Sequence, residues 1–143
     1  MSGRWFPDDM PTPAVSRETL PWWQAAAEHR LLVQACAACG RRQLPPGPLC
    51  RHCRTFELGW HEVPGTGSVY TYTIVHRAML PSLASRVPYV VVVVELDEGG
   101  GARLASNLVE TVPEAVHVGL RVEVAWDDVG PALALPRFRA AQR

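Results

Sequence analysis

The chain of 143 residues has no lysine at all; its fourteen basic residues are all arginine. That excludes chemistry through a lysine Schiff base. With so much Ala, Gly, Pro and Val, it reads as the codon usage of a GC-rich genome rather than as a mechanism. An excess of either charge is missing too. Fourteen acidic residues balance the fourteen basic ones, so no strong field gathers nucleic acid or an anionic membrane. Nor is there a long hydrophobic run. The longest, Tyr89 to Val94, is far too short to span a bilayer. The opening residues Arg4, Trp5, Phe6, Pro7, Asp8 and Asp9 lack the basic start and apolar stretch of a secretory signal. The expectation is a cytoplasmic protein with no membrane contact.

Phosphate-binding glycine loops are also lacking. "GTG" at 65–67 leads into a strand pattern rather than a helix, and "DEGGG" places acids where phosphate would have to sit. Of the histidines, His29, His61, His76 and His117 are scattered and show no ligand or catalytic spacing.

What is present falls into three stretches. Residues 1–18 form an extended, proline-rich arm, in which Trp5 and Phe6 either tack the arm onto the domain or anchor on a partner. "TLPWWQAAAEHRLL" reads as a helix, with Thr19 as cap, Pro21 in the first turn, and Trp22, Trp23, Ala26 and His29 or Arg30 as its stripe. "LLVQAC" then runs extended into the cysteines, and residues 19–62 make one module. From 63 to 143 the texture is that of strands: "SVYTYTIVH", "PYVVVVVELDEG", "ARLASNLVE", "LRVEVAWDD" and "PALALPRFRA". The valine run reads as buried on both faces, and three glycines set a hairpin turn after it. Tyr70, Tyr72, Ile74 and His76 fall on one face, which suits barrel core or, alternatively, base stacking. Five strands without a long helix predict a small antiparallel barrel of the oligonucleotide/oligosaccharide-binding (OB) type.

All four cysteines lie in "CAACGRRQLPPGPLCRHC", residues 36–53. Cys36-x2-Cys39 and Cys50-x2-Cys53 are two knuckles ten residues apart, a spacing that brings four thiolates to one tetrahedral ion. Zinc is expected, with a rubredoxin-type iron centre as the other metal that this geometry admits. Four protein ligands leave no open position, so the site is structural rather than catalytic. His52, inside the second knuckle, is expected to face solvent. With the thiols committed, no thiol nucleophile remains.

The order of these motifs resembles a family of zinc-ribbon/OB-fold proteins of acyl-coenzyme A metabolism, long filed as a domain of unknown function. The likeness runs from about Leu20 to Phe138: a Trp-bearing helix, "LLVQACAACGRRQLPPGPLCRHC", Trp60, "GTGSVYTYTIV", "PYVVVVVELDEG", "VGLRVEV" and a terminal "PRF". Two positions depart from the usual run, Gly47 where arginine is common and Arg51 where proline is usual. The resemblance implies a mainly β fold: an N-terminal helix and rubredoxin-like zinc ribbon followed by a five-stranded OB-fold barrel. It implies an accessory subunit, not catalytic alone, of a thiolase-superfamily complex (a lipid-transfer-protein-type aldolase or an acyltransferase). Such a subunit helps bind or pass acyl-CoA thioesters in steroid side-chain or polyketide-like metabolism, in some members beside a hotdog-fold hydratase. Arg41, Arg42, Arg51, Arg54 and Arg77 are the expected acyl-CoA contacts, and Arg86 flanks the same loop as Arg77. The competing reading is a ribbon/OB binder of single-stranded nucleic acid, which the neutral charge disfavours.

Overall fold

The computed structural model of the chain describes residues 4–142. Among them stand one α-helix, α1 (Leu20–Ala27), and eight strands in two groups. β1 (Leu31–Cys36), β2 (Arg42–Gln43) and β3 (Leu58–Val63) form a small antiparallel sheet, ordered β2-β1-β3. β4 (Thr66–Val75), β5 (Tyr89–Leu96), β6 (Arg103–Leu108), β7 (Arg121–Gly130) and β8 (Leu133–Ala140) close a barrel, ordered β4-β5-β6-β8-β7. The mainly β architecture, the leading helix and the five-stranded barrel are those expected.

Alternation decides the barrel core. Val90, Val92, Val94 and Leu96 of β5 point inward and are buried, together with Val69, Leu108, Val122 and Phe138. The valine run is therefore not buried on both faces: Val91 and Val93 are half-buried and Glu95 is exposed. A closed barrel has one inner face, so a continuous apolar run still sorts by the two-residue period. β4 and β5 meet closely at Gly67, where a Cβ would sit 2.4 Å from the Glu95 carbonyl oxygen; no side chain fits there.

One seam of the barrel is fastened lightly. β6 and β8 run parallel and pair at a single position, Leu108 opposite Phe138. The Val109 N–H to the Phe138 carbonyl at 2.7 Å and the Ser106 hydroxyl to the Pro136 carbonyl at 2.6 Å are the further hydrogen bonds described there. Helix α1 packs over this seam against β8.

Eight residues are too few to hold a helix alone. α1 stands because Trp22, Ala25 and Ala26 are buried and because the Trp22 indole N–H donates to the Leu32 carbonyl at 2.9 Å. Thr19 does not cap it. Its hydroxyl accepts from the Ser16 N–H at 2.9 Å and donates to the Ser16 carbonyl at 3.3 Å. The buried stripe takes Ala25 rather than His29 or Arg30, because the helix ends first and His29 turns away at a φ of 59°. The His29 ring then stacks flat on Trp126 at 5.2 Å and bonds Asp128 at 2.7 Å.

The tyrosine face also differs from expectation. A bulge between Val69 and Thr71 shifts the register at Tyr70. Tyr70 turns out under the Arg103 guanidinium, 3.6 Å from its ring centre. Tyr72 and Ile74 stay opposite the inward Val92 and Val90, yet Tyr72 remains 39% exposed and His76 lies beyond the strand.

Trp5 and Phe6 tack the arm onto the chain's own surface. Their amides donate to the two carboxylate oxygens of Asp127, at 3.2 and 3.0 Å, and Phe6 is buried. Arg137 and Arg86 lie over the Trp5 ring, and the Arg86 Nε donates to the Trp5 carbonyl at 2.8 Å. Asp127, itself buried, also meets Arg137 at 3.3 Å.

Two predictions follow from these ion pairs. Asp127→Ala leaves Arg137 and two amides without their acceptor, which costs about 3–5 kcal/mol for a buried pair broken on one side. Urea unfolding should show the loss, and protease should cut first in residues 4–10; an uncut arm at unchanged stability would refute it. Asp97 accepts from the Thr66 hydroxyl at 2.7 Å and from the Arg121 guanidinium, at 3.0 Å through Nη1. Arg121 and then Thr66 hold its carboxyl down to about 2. A depressed carboxylate stabilises the fold above its unfolded value of about 4 and stops doing so as pH falls through the folded one. Wild type should therefore lose stability between pH 4 and 2 that Asp97→Asn does not lose.

Candidate metal centre

The cysteines ride on two tight turns. One leaves the end of β1 and returns as β2, and the other precedes β3. In the first, Gly40 at a φ of 76° and its N–H to the Cys36 carbonyl at 3.0 Å close the turn. In the second, Arg54 at a φ of 64° does the same through its N–H to the Cys50 carbonyl at 2.9 Å. The four Sγ atoms all lie within 4.8 Å of one another. Cys36 Sγ is 3.5 Å from Cys53 Sγ, and Cys39 Sγ is 3.7 Å from Cys50 Sγ. Neither contact is a disulfide. A zinc–sulfur bond of about 2.3 Å gives a tetrahedral edge of about 3.8 Å, so the four sulfurs fit one such ion. Cys36 and Cys50 are buried, Cys39 and Cys53 exposed.

Backbone amides point at the sulfurs. Those of Cys39 and Ala38 hold the Cys36 thiol below its usual value, and those of Cys53 and His52 take Cys50 down to about 6. Thr55's amide pulls on Cys53, but burial and the sulfurs of Cys36, Cys50 and Cys39 together push it up to about 12. Four thiolates this close cannot all ionise unaided; a divalent cation removes the conflict. The donor set fits zinc, which would be held by all four sulfurs and would supply cross-linking of the ribbon and no open coordination position.

Two glutamines fix the loop between the knuckles. Buried Gln34 donates through Nε2 to the Gly47 carbonyl at 3.0 Å and accepts the Gly47 N–H at 2.9 Å. Gln43 donates to Gln34 Oε1 at 2.7 Å and to the Leu49 carbonyl at 3.1 Å, and accepts the Arg51 N–H at 3.0 Å. The two departures noted above meet here. The Arg51 guanidinium donates to the Pro45 carbonyl, and its Nη2 is 3.8 Å from where a Cβ on Gly47 would sit. Arg51 thus lies beside the space that Gly47 leaves open.

The expected arginines divide. Arg41, Arg42 and Arg51 surround one depression of about 430 Å³, with His52, outside the ligand set and exposed, on its wall. Arg54 and Arg77 do not line it. Arg103, which sequence reasoning did not single out, does. Its neighbours come from the ribbon, some sixty positions earlier, and no local pattern announces them. Leu44 lines both this depression and a second cavity of about 270 Å³ at the β6–β8 seam, walled also by Trp22, Trp23, Pro45, Leu104 and Leu135. Among the described residues, the histidine side chains with hydrogen bonds are His29, to Asp128, and His117, to the Ala115 carbonyl; neither reaches a hydroxyl or thiol.

Comparison with known proteins agrees with this geometry. Residues 23–59 match the family described as ChsH2, rubredoxin-like zinc ribbon domain, and residues 60–127 match ChsH2, C-terminal OB-fold domain. The chain is 44% identical, over 92% of its length, to a probable enoyl-CoA hydratase alpha subunit of Thermomonospora curvata, and spans 40% of that relative. It is 33% identical to a DUF35 domain-containing scaffold protein of Methanocaldococcus jannaschii, over 73% of each chain. Among solved structures, it matches the whole of one chain in an Ltp2-ChsH2(DUF35) aldolase, with a TM-score of 0.81 and 43% identity over 92% of its own length.

Purified chain should carry one zinc per molecule by elemental analysis. Cys50→Ser should lose it, and amide exchange should then rise in β1–β3 while the barrel strands stay protected; retained metal and an unchanged ribbon would refute the assignment.

Proposed function

The chain belongs to the DUF35 family of ChsH2-type zinc-ribbon/OB-fold proteins, and from that membership we propose that it is an accessory subunit of a thiolase-like enzyme acting on acyl-CoA thioesters. The observation that carries the proposal is the likeness to one entire chain of the Ltp2-ChsH2(DUF35) aldolase. A relative with a hydratase alpha subunit's name, of which this chain matches only 40%, supports the acyl-CoA class. The partner then supplies the nucleophile and the general base. This chain supplies a zinc-stiffened ribbon, a small barrel and a surface for the thioester. Aldol cleavage or acyl transfer on steroid side chains or polyketide-like chains is the reaction we assign to the complex, with a hotdog-fold hydratase as a further associate.

The reading assigns no role to a lone active site on this chain. Its fit with the geometry is that the metal is enclosed by four ligands and that the histidine contacts described above build no nucleophile–base pair.

Co-expression with a thiolase-like protein from the same genome should give one co-eluting species whose activity on acyl-CoA substrates exceeds that of the partner alone. Two separately eluting species with unchanged activity would overturn the proposal.

A further inference from the structure

The four sulfurs are unevenly protected. Cys36 and Cys50, the first cysteine of each knuckle, are buried. Each sulfur receives two backbone amides: Cys36 those of Cys39 and Ala38, Cys50 those of Cys53 and His52. Cys39 and Cys53, the second of each knuckle, are exposed and receive one amide each, from Arg41 and Thr55. An N–H bond draws charge from a thiolate and blocks one approach to it. The outer sulfurs of the zinc-loaded ribbon therefore keep more electron density and also meet solvent. Thiolate character and exposure are the two conditions that decide which cysteine is oxidised.

The surroundings agree. Ala37, Ala38 and Gly40 beside Cys39 are small and exposed, so its own turn puts no large side chain over the sulfur. Cys53 lies between His52 and Arg54, both exposed. Each outer sulfur has a close neighbour on the opposite knuckle. Cys53 Sγ is 3.5 Å from Cys36 Sγ, and Cys39 Sγ is 3.7 Å from Cys50 Sγ. An outer sulfur that is oxidised thus already faces an inner, buried one.

We propose that the ribbon is an oxidation site for hydroperoxides, entered at Cys39 and Cys53, and that its disulfides form across the knuckles. The outer thiolate attacks one peroxide oxygen; the O–O bond breaks and hydroxide leaves with the electron pair. The sulfur, now a sulfenic acid, has lost two electrons and the peroxide has gained them. The facing inner thiolate attacks that sulfur, the S–O bond breaks and a second hydroxide leaves. Cys53 thereby joins Cys36, and Cys39 joins Cys50. One disulfide removes two of the four donors and so releases the ion. The turns that place Arg41, Arg42 and Arg51 then lose their cross-link, while the barrel keeps its ladders. The inference stands apart from the acyl-CoA reading and needs no partner. The competing account is an inert clip, whose thiolates meet peroxide only in unfolded chain.

The test uses the zinc-loaded full chain, hydrogen peroxide and a zinc-chelating dye. Zinc release should rise in proportion to peroxide concentration, with about one peroxide consumed per ion released, as two-electron oxidation to one disulfide requires. Free thiols are then capped with N-ethylmaleimide and the unreduced chain is cut with trypsin. Cleavage after Arg30, Arg41, Arg42, Arg51 and Arg54 leaves Cys36 and Cys39 in peptide 31–41, Cys50 in 43–51 and Cys53 in 52–54. Peptide 31–41 should carry 52–54, joined at Cys36, or 43–51, joined at Cys39. Amide exchange should rise in β1–β3 while β5 and β7 stay protected. Dithiothreitol with added zinc should restore both the metal and the protection of the ribbon.

A main product in which 43–51 is linked to 52–54 would overturn the pairing across the knuckles. Release that levels off with rising peroxide, at the unfolding rate of the chain in the same buffer, would favour the inert clip and sink direct attack on the folded ribbon. Zinc retained in excess peroxide, or a loss that dithiothreitol does not reverse, would remove the site altogether.

Discussion

Four cysteine sulfurs held within 4.8 Å of one another set the terms for the ribbon. Each knuckle aims backbone amides at its sulfurs, which favours thiolate, while the crowding opposes it. The conflict ends only when a cation sits among them. β2 is two residues long, so beyond the Gln43–Gln34 hydrogen bond its hold on β1 leans on that cross-link. The glutamine lock on Gly47 depends in turn on β1 and β2 lying side by side, since Gln34 and Gln43 are cross-strand neighbours. Arg41, Arg42 and Arg51 are placed by the same turns. The metal therefore acts at a distance, through the ribbon, on a surface it never touches.

The two modules are joined by contacts that use both. Trp22 spans the join, its indole bonded to β1 while its ring lines the barrel's seam. Arg42 reaches the turn between β5 and β6, packing within 3.1 Å of where a Cβ on Gly100 would lie. Glycine at a φ of 62° thus serves both the turn and the approach of the arginine. The cavity at the seam exists because of this join: its walls come from α1, from the ribbon loop and from β6 and β8.

Much of this was legible in the sequence because it is encoded locally. The cysteine spacing and the five strands are patterns within a few residues of one another, and the glycine-rich turn after the valines is too. What escaped was encoded at long range. Asp127 takes up the amides of Trp5 and Phe6 across more than 120 positions, so the arm's fate could only be left between two readings. The bulge at Tyr70 inserts one residue into a strand and defeats period-two reasoning from that point. Thr19 is a fit cap by residue type, but Ser16 competes for its hydroxyl. Arg103 looked like an ordinary strand residue until the ribbon was folded beside it.

The seam between β6 and β8 has a mechanical meaning. Four of the barrel's five junctions are ladders of several pairs, and the fifth is one pair assisted by two further bonds described there. A cylinder fastened in this way behaves as a split ring. Spreading it strains one bridge and the packing of α1, and leaves the ladders whole. Elastic compliance is thereby concentrated along a single line, under two tryptophans. A solid barrel of this size would have to melt a strand to open as far.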